Sequence, residues 1–234
     1  MNQQKFLAGL LILVFSVVMF SEKAKGQESD QNSSVSIYSV GVLLGWYNPS
    51  LDYWKEKSEF KDADFSGAVD VKGFFDVQFI SCLNMRIGVE YWQTTATEDL
   101  QGFGNTKLLL TGIPITLDVL YYIKPIRFSV ITPFIGAGGA YTFINYKLDF
   151  EQKDNPDPSK GSTFAGTGIA GLQAKLSEKF ALDLEFDYKF GSYNQEFTKE
   201  IVNPENPEEP EFEIITETIS LNGPFVGLTL KYLF

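Results

Sequence analysis

Between Phe180 and Phe190 the chain reads FALDLEFDYKF, with Phe180, Leu182, Leu184, Phe186, Tyr188 and Phe190 at every even position and Asp183, Glu185, Asp187 and Lys189 at odd ones. Apolar residues at a strict spacing of two fit only a β-strand, because successive strand side chains point to opposite faces and a helix would scatter them around its circumference. The strand has one apolar and one charged face. A soluble sandwich or barrel turns the apolar face inward, whereas a membrane barrel turns it to lipid and the charges to the lumen. Alternation alone does not choose between them.

The same alternation marks eight expected strands, over 34–47, 68–80, 85–95, 107–123, 129–146, 163–176, 180–190 and 219–234. Long connections at 48–67, 96–106, 147–162 and 191–218 alternate with short ones at 81–84, 124–128 and 177–179. An even strand number with tight turns on one side and long loops on the other predicts an all-β fold. It is an eight-stranded antiparallel up-and-down transmembrane β-barrel, with extracellular loops and periplasmic turns.

The chain opens MNQQKFLAGLLILVFSVVMFSEKAKGQ: an early cation at Lys5, an apolar run from Phe6 to Phe20, and Ala24 and Gly26 as small residues before a cleavage point. This predicts a signal peptide over 1–26 and export. The run is shorter than the roughly 20 residues that span a bilayer as a helix. A short periplasmic segment over 27–33 and the barrel over 34–234 complete the expected organisation.

Cleavage leaves 16 Lys and Arg against 29 Asp and Glu, an acidic balance that argues against nucleic acid as a partner. Cys82 is the single cysteine and there is no histidine. A disulfide framework, Cys- or His-rich metal sites and proton shuttling by imidazole are thereby removed. No cofactor, metal or catalytic residue is expected, and the chain reads as a non-enzyme.

Aromatic placement favours the lipid-facing reading. The even face of the first strand runs Tyr38, Val40, Val42, Leu44, Trp46, and the last strand moves from Val226, Leu228 and Leu230 to Tyr232 and Phe234. Trp46, Tyr91, Tyr141, Phe143 and Tyr188 fall at one set of strand ends, and Phe79, Tyr121, Phe180, Tyr232 and Phe234 at the other. Two girdles of this kind suit the two interfaces of a membrane. The opposite face carries glycine and charge, as a lumen only wide enough for side chains requires.

The stretches IPITLDVLYYI, ITPFIGAGGAYTF, GTGIAGLQAKLSEKFALDLEFDYKF and the ending VGLTLKYLF resemble the small OmpX-like and OmpA-like outer-membrane barrels, particularly the outer membrane protein β-barrel domain proteins of Bacteroidota. The resemblance spans the mature chain and implies the outer membrane of a Gram-negative bacterium, contact with lipid and lipopolysaccharide, and a terminal aromatic, Phe234, read by the barrel-assembly machinery. It carries over no functional site.

Seven lumen acids (Asp70, Asp76, Glu90, Asp118, Asp183, Glu185, Asp187) face five lumen bases (Lys72, Arg86, Lys175, Lys189, Lys231), a near balance that predicts ion pairing. Lys175 is expected one diagonal step from Asp183, Asp183 opposite Lys231, and Arg86 between Asp76 and Asp118. Tyr53, Trp54, Phe60 and Phe65 of the first loop either fold over the mouth or form a recognition patch for an unknown surface ligand or envelope protein. The last loop holds eight Glu against Lys199 alone, with prolines at 204, 207 and 210. It reads as a solvated tip or as a binding or divalent-cation surface, on a hairpin continuing above the membrane. GAGGAY over 136–141 lacks the following helix of a phosphate loop. Pro114 and Pro133 predict bulges. The functional expectation is a structural barrel with a charge-plugged lumen, acting in envelope integrity and surface interaction. A narrow channel or lateral conduit for small, apolar solutes is the alternative.

Overall fold

The computed structural model describes residues 35–57, 60, 62–63, 65–100, 102–123, 130–152, 154, 159–201 and 211–234. The expected signal peptide, the 27–33 segment, the turn at 124–128 and the acidic tip at 202–210 lie outside the described residues.

Nine strand segments form one antiparallel wall: β1 (Ser36–Tyr47), β2 (Ala68–Ile80), β3 (Leu83–Leu100), β4 (Gly104–Tyr122), β5 (Ile131–Asp149), β6 (Ser159–Lys175), β7 (Phe180–Ile201), β8 (Glu211–Ser220) and β9 (Gly223–Leu233). Each of β1 to β7 pairs with its successor or predecessor in sequence, and β9 pairs with both β7 and β1, closing a ring of eight. β8 continues the β9 position upward, pairing with β7 from Ser192↔Ser220 to Ile201↔Glu211 as the expected protruding hairpin.

The eighth wall strand is broken where Asn222, Gly223 and Pro224 meet the first loop. Leu51 and Ser50 donate backbone N–H groups to the Ser220 and Asn222 carbonyls (3.0 and 2.7 Å), and Asn48 donates to the Pro224 carbonyl (3.0 Å). Proline offers no N–H there, and a Cβ on Gly223 would overlap the Asn48 carbonyl. The first loop is thereby stitched to the wall before it turns over the mouth.

Bulges fall at Ile37/Ser39 and Gln78/Ile80, at the rim of the short turns, and not at the two prolines. Pro114 stays in register with Thr142, and its missing donor leaves a gap in the β3–β4 ladder between Val89↔Ile115 and Trp92↔Gly112. Pro133 keeps register with Leu172. A barrel thus absorbs a lost ladder bond without adding a residue. The first bulge also turns Tyr38 into the short-turn end of the lumen, away from the lipid face assigned to it by alternation.

Outward positions are apolar and exposed around the ring, including Leu44, Val69, Leu117, Ile135, Leu172, Phe186 and Leu228. Inward ones are buried: β4 from Gly104 alternates buried and less buried without a break to Tyr122. Burial in the lumen with an exposed apolar belt outside is the inverse of a soluble barrel and fits lipid as the outer solvent.

Candidate functional site

The lumen holds two stacked layers. In the lower one Arg86, fully buried on β3, donates through Nε to Asp76 (3.0 Å) and through Nη1 to Glu185 (2.7 Å), with Asp183 3.9 Å from Nη2, while its guanidinium lies 4.1 Å over the Phe74 ring. Lys231, also fully buried, reaches Asp183 (2.6 Å) and Asp76 (3.1 Å) and donates to the Tyr122 hydroxyl (2.8 Å). Asp76 further accepts from Ser39 (2.9 Å). Higher up, Lys72 pairs with Asp118 (2.7 Å), and Lys189 pairs with Asp70 (2.7 Å) and with Glu90. Buried charges persist only when paired and hydrogen-bonded, and these are held from β2, β3, β4, β7 and β9 at once.

Register places Asp76, Arg86 and Asp118 side by side, yet Arg86 turns to β7 and Asp118 takes Lys72. Asp183 stands opposite Thr229, because Phe180 pairs with Tyr232 and not Phe234, so Lys231 meets Asp183 along a diagonal. Lys175 is exposed at the rim opposite Ala181. Gln173 occupies the position facing Asp183 and donates to it (3.1 Å). Without Lys175 the lumen carries seven carboxylates against four cations. Cross-lumen pairs such as Lys189–Asp70 were missed by the register argument, which sees only adjacent strands; the bore of an eight-stranded barrel lets long side chains reach across.

The upper layer is apolar. Trp54 and Phe60 of the first loop are buried with Tyr47, Trp92, Leu108, Leu110, Ile144, Tyr146 and Tyr193, and Tyr53 and Phe65 pack against this cluster. Trp54 stacks on Tyr146 (5.1 Å between ring centres) and Tyr53 on Phe197 (5.1 Å). The four loop aromatics therefore pack into the mouth, Trp54 and Phe60 buried and Tyr53 and Phe65 partly so. Tyr53 and Trp54 stand on a five-residue π-helical turn, Tyr53–Lys57.

Between the layers lies a cavity lined by Thr116, Thr142, Thr167, Asp187, Glu90, Lys72 and Lys189, with Pro114, Ala140 and Ala165 as small walls. A Cβ on Gly138, just below, would overlap the Asp118 carboxylate. Among the described residues no group of three or more His, Cys, Asp or Glu is arranged to hold a metal ion.

On the outer face Trp46, Tyr121 and Phe180 are exposed, and Tyr91, Tyr141, Tyr232 and Phe234 are partly so. Phe180, Tyr232 and Phe234 stack edge to face at one rim, and Tyr141 packs against Phe143 and Phe164 at the other.

A closed ring of eight antiparallel strands with an apolar outer belt and a filled polar lumen is the architecture of the small OmpX- and OmpA-like outer-membrane barrels. Among solved structures, the outer membrane protein OprG from Pseudomonas aeruginosa is similar at a TM-score of 0.54 with 13% identity, over 85% of this chain and 97% of that one. Neisserial surface protein A follows at 0.49 and 10%, over 86% and 99%, and Ail, the attachment invasion locus protein of Yersinia pestis, at 0.41 and 10%, over 87% and 100%. The fold comparison rests on OprG. No protein-family model matches the chain, and neither does any curated protein sequence.

Proposed function

We propose that the protein is a non-enzymatic integral barrel of a Gram-negative outer membrane whose lumen is plugged by its own charges. In this reading it stabilises the envelope and meets its surroundings through the structures above the membrane. The observation that carries this is the Arg86–Lys231 network, two fully buried cations tied to Asp76, Asp183 and Glu185 across the bore. An ion would have to break these pairs to pass. Partners under this reading are membrane lipid and lipopolysaccharide along the aromatic girdles, the barrel-assembly machinery at the strand ending on Phe234, and a surface ligand or envelope protein. With Trp54 and Phe60 buried and Tyr53 and Phe65 packed against them, this reading gives surface contact first to the β7–β8 hairpin, whose Ile214 is 68% exposed.

One observation favours the alternative of a narrow or lateral conduit: the gap in the β3–β4 ladder at Pro114 lies beside the lumenal cavity. Planar-bilayer recording separates the two. The plug reading expects negligible conductance in the wild type and more frequent openings in Arg86→Ala. That variant strands buried carboxylates at a cost of about 3–5 kcal/mol, read from urea unfolding in lipid vesicles. A steady wild-type conductance unchanged in Arg86→Ala would overturn the plug and promote the conduit.

A further inference from the structure

The ion pairs of the lumen leave one carboxylate out. Lys72 is spent on Asp118, Arg86 on Asp76 and Glu185, Lys189 on Asp70 and Glu90, and Lys231 on Asp76 and Asp183; among the described residues no ion pair reaches Asp187. Its Oδ1 is shielded from solvent and receives no protein donor. The same holds for the hydroxyl of Thr116, a residue only 5% exposed. Both line the cavity between the charged layer and the cap, where Thr142 and Thr167 add further hydroxyls. A solvent-shielded carboxylate oxygen and a buried hydroxyl, neither with a hydrogen-bond partner among the described residues and both lining one cavity, call for an occupant that satisfies oxygen. The surplus of carboxylates over cations in the lumen gives that occupant a positive charge.

We propose that this cavity is a site for a small monovalent cation of the sodium or potassium type, held by Asp187 Oδ1 and Thr116 Oγ1 and completed by the neighbouring threonine hydroxyls and water. Hard cations take oxygen ligands, which is what these walls offer. A divalent ion is disfavoured because Lys72 and Lys189 border the same cavity and, among the described residues, no cluster of three acids is arranged for one. The cation neutralises the carboxylate that the four lumen bases leave unpaired. The site is independent of whether the bore conducts, so its test and the conductance test fail separately.

The experiment uses the full chain refolded in lipid vesicles, with urea unfolding followed in rising NaCl or KCl and in choline chloride at matched ionic strength. Choline is too large for the cavity, so general screening is held constant. The expected result is a saturable stabilisation by the small cation only, lowering the unfolding constant about tenfold at ten times the dissociation constant. Asp187→Asn should abolish the difference between the salts, and Thr116→Val should weaken it, which keeps the test open if the first variant folds poorly. Thallium soaked into crystals should give an anomalous peak between Asp187 and Thr116. Equal midpoints in sodium and choline for the wild type, a sodium effect retained in Asp187→Asn, or a thallium peak only elsewhere would overturn the site, and would leave a proton on Asp187 as the neutralising charge.

Discussion

The charged layer and the aromatic cap both fill the bore of one barrel, yet they are held by opposite physics. In the charged layer each group depends on named partners: Arg86 serves acids on β2 and β7, and Lys231 on β9 serves β2, β4 and β7. In the cap, Trp54 meets Tyr53, Phe60, Tyr146 and Phe197 through ring faces and edges at centroid distances of 5.1 to 6.1 Å, contacts that tolerate small displacements. Directional pairing fixes register and a unique arrangement, whereas apolar burial fixes only volume. One barrel therefore closes its bore with a lock below and a stopper above.

Putting a lysine into the stopper should break this comparison most violently. Leu110 is fully buried in the cap, in one apolar cluster with Tyr47, Trp92, Leu108, Ile144 and Tyr146, so Leu110→Lys sets an ammonium among apolar side chains, at a cost on the order of 5 kcal/mol. Leu110→Met, near in volume, should cost less than about 1.5 kcal/mol. Urea unfolding of both variants in vesicles checks the contrast; near-equal stabilities would mean that the cap is wet.

Trp54→Ala should produce a smaller and more local effect. A buried tryptophan lost from a core costs about 3–5 kcal/mol, and a loop free to resettle belongs at the low end, about 3 kcal/mol. Protease added to intact vesicles is expected to cut the first loop faster while the strands stay protected. Simultaneous loss of loop and strand protection would show that cap and charged layer form one cooperative unit.

How much of this was legible in the sequence follows from the range of each interaction. Strand identity and the β7–β8 extension rest on local alternation, as in Phe180–Phe190, and could be read directly; the inside-out orientation needed the aromatic girdles and the alternation of short turns with long loops as well. Asp76, Arg86 and Asp118 could be put on one level for the same reason. Their pairings could not, because Lys189–Asp70 and Arg86–Glu185 cross the bore between strands distant in sequence. Lys175 misled because alternation gives a residue's face but not its depth, and at the rim a lysine has water within reach. Tyr38 misled because a bulge resets the alternation, and nothing in SIYSV announces one. The first loop left two readings open, since Tyr53, Trp54, Phe60 and Phe65 carry no period; only the tie of Ser50 and Leu51 to the eighth wall strand turns them inward.

The smallest expected effect is the mirror of the largest. Gln173 faces the lumen one pair above Lys175, is 7% exposed, and already donates to Asp183, so Gln173→Lys would set a cation where the misassigned Lys175 was expected to act. Asp183 is shared with Lys231 at 2.6 Å, and the new ammonium would compete for it. Two things offset that repulsion: carboxylates outnumber cations in the lumen, and the cavity at the short-turn end, lined by Tyr38, Gln78, Asn84 and Thr132, gives the side chain polar company and an exit to water. The change in unfolding free energy should therefore stay within about 1 kcal/mol, since a partly solvated ion pair is worth little in either direction. The measurement is urea unfolding beside Leu110→Lys. A loss for Gln173→Lys comparable to that of Leu110→Lys would mean that the charged layer is as closed to an added charge as the cap, and the contrast between lock and stopper would collapse into a single dry core.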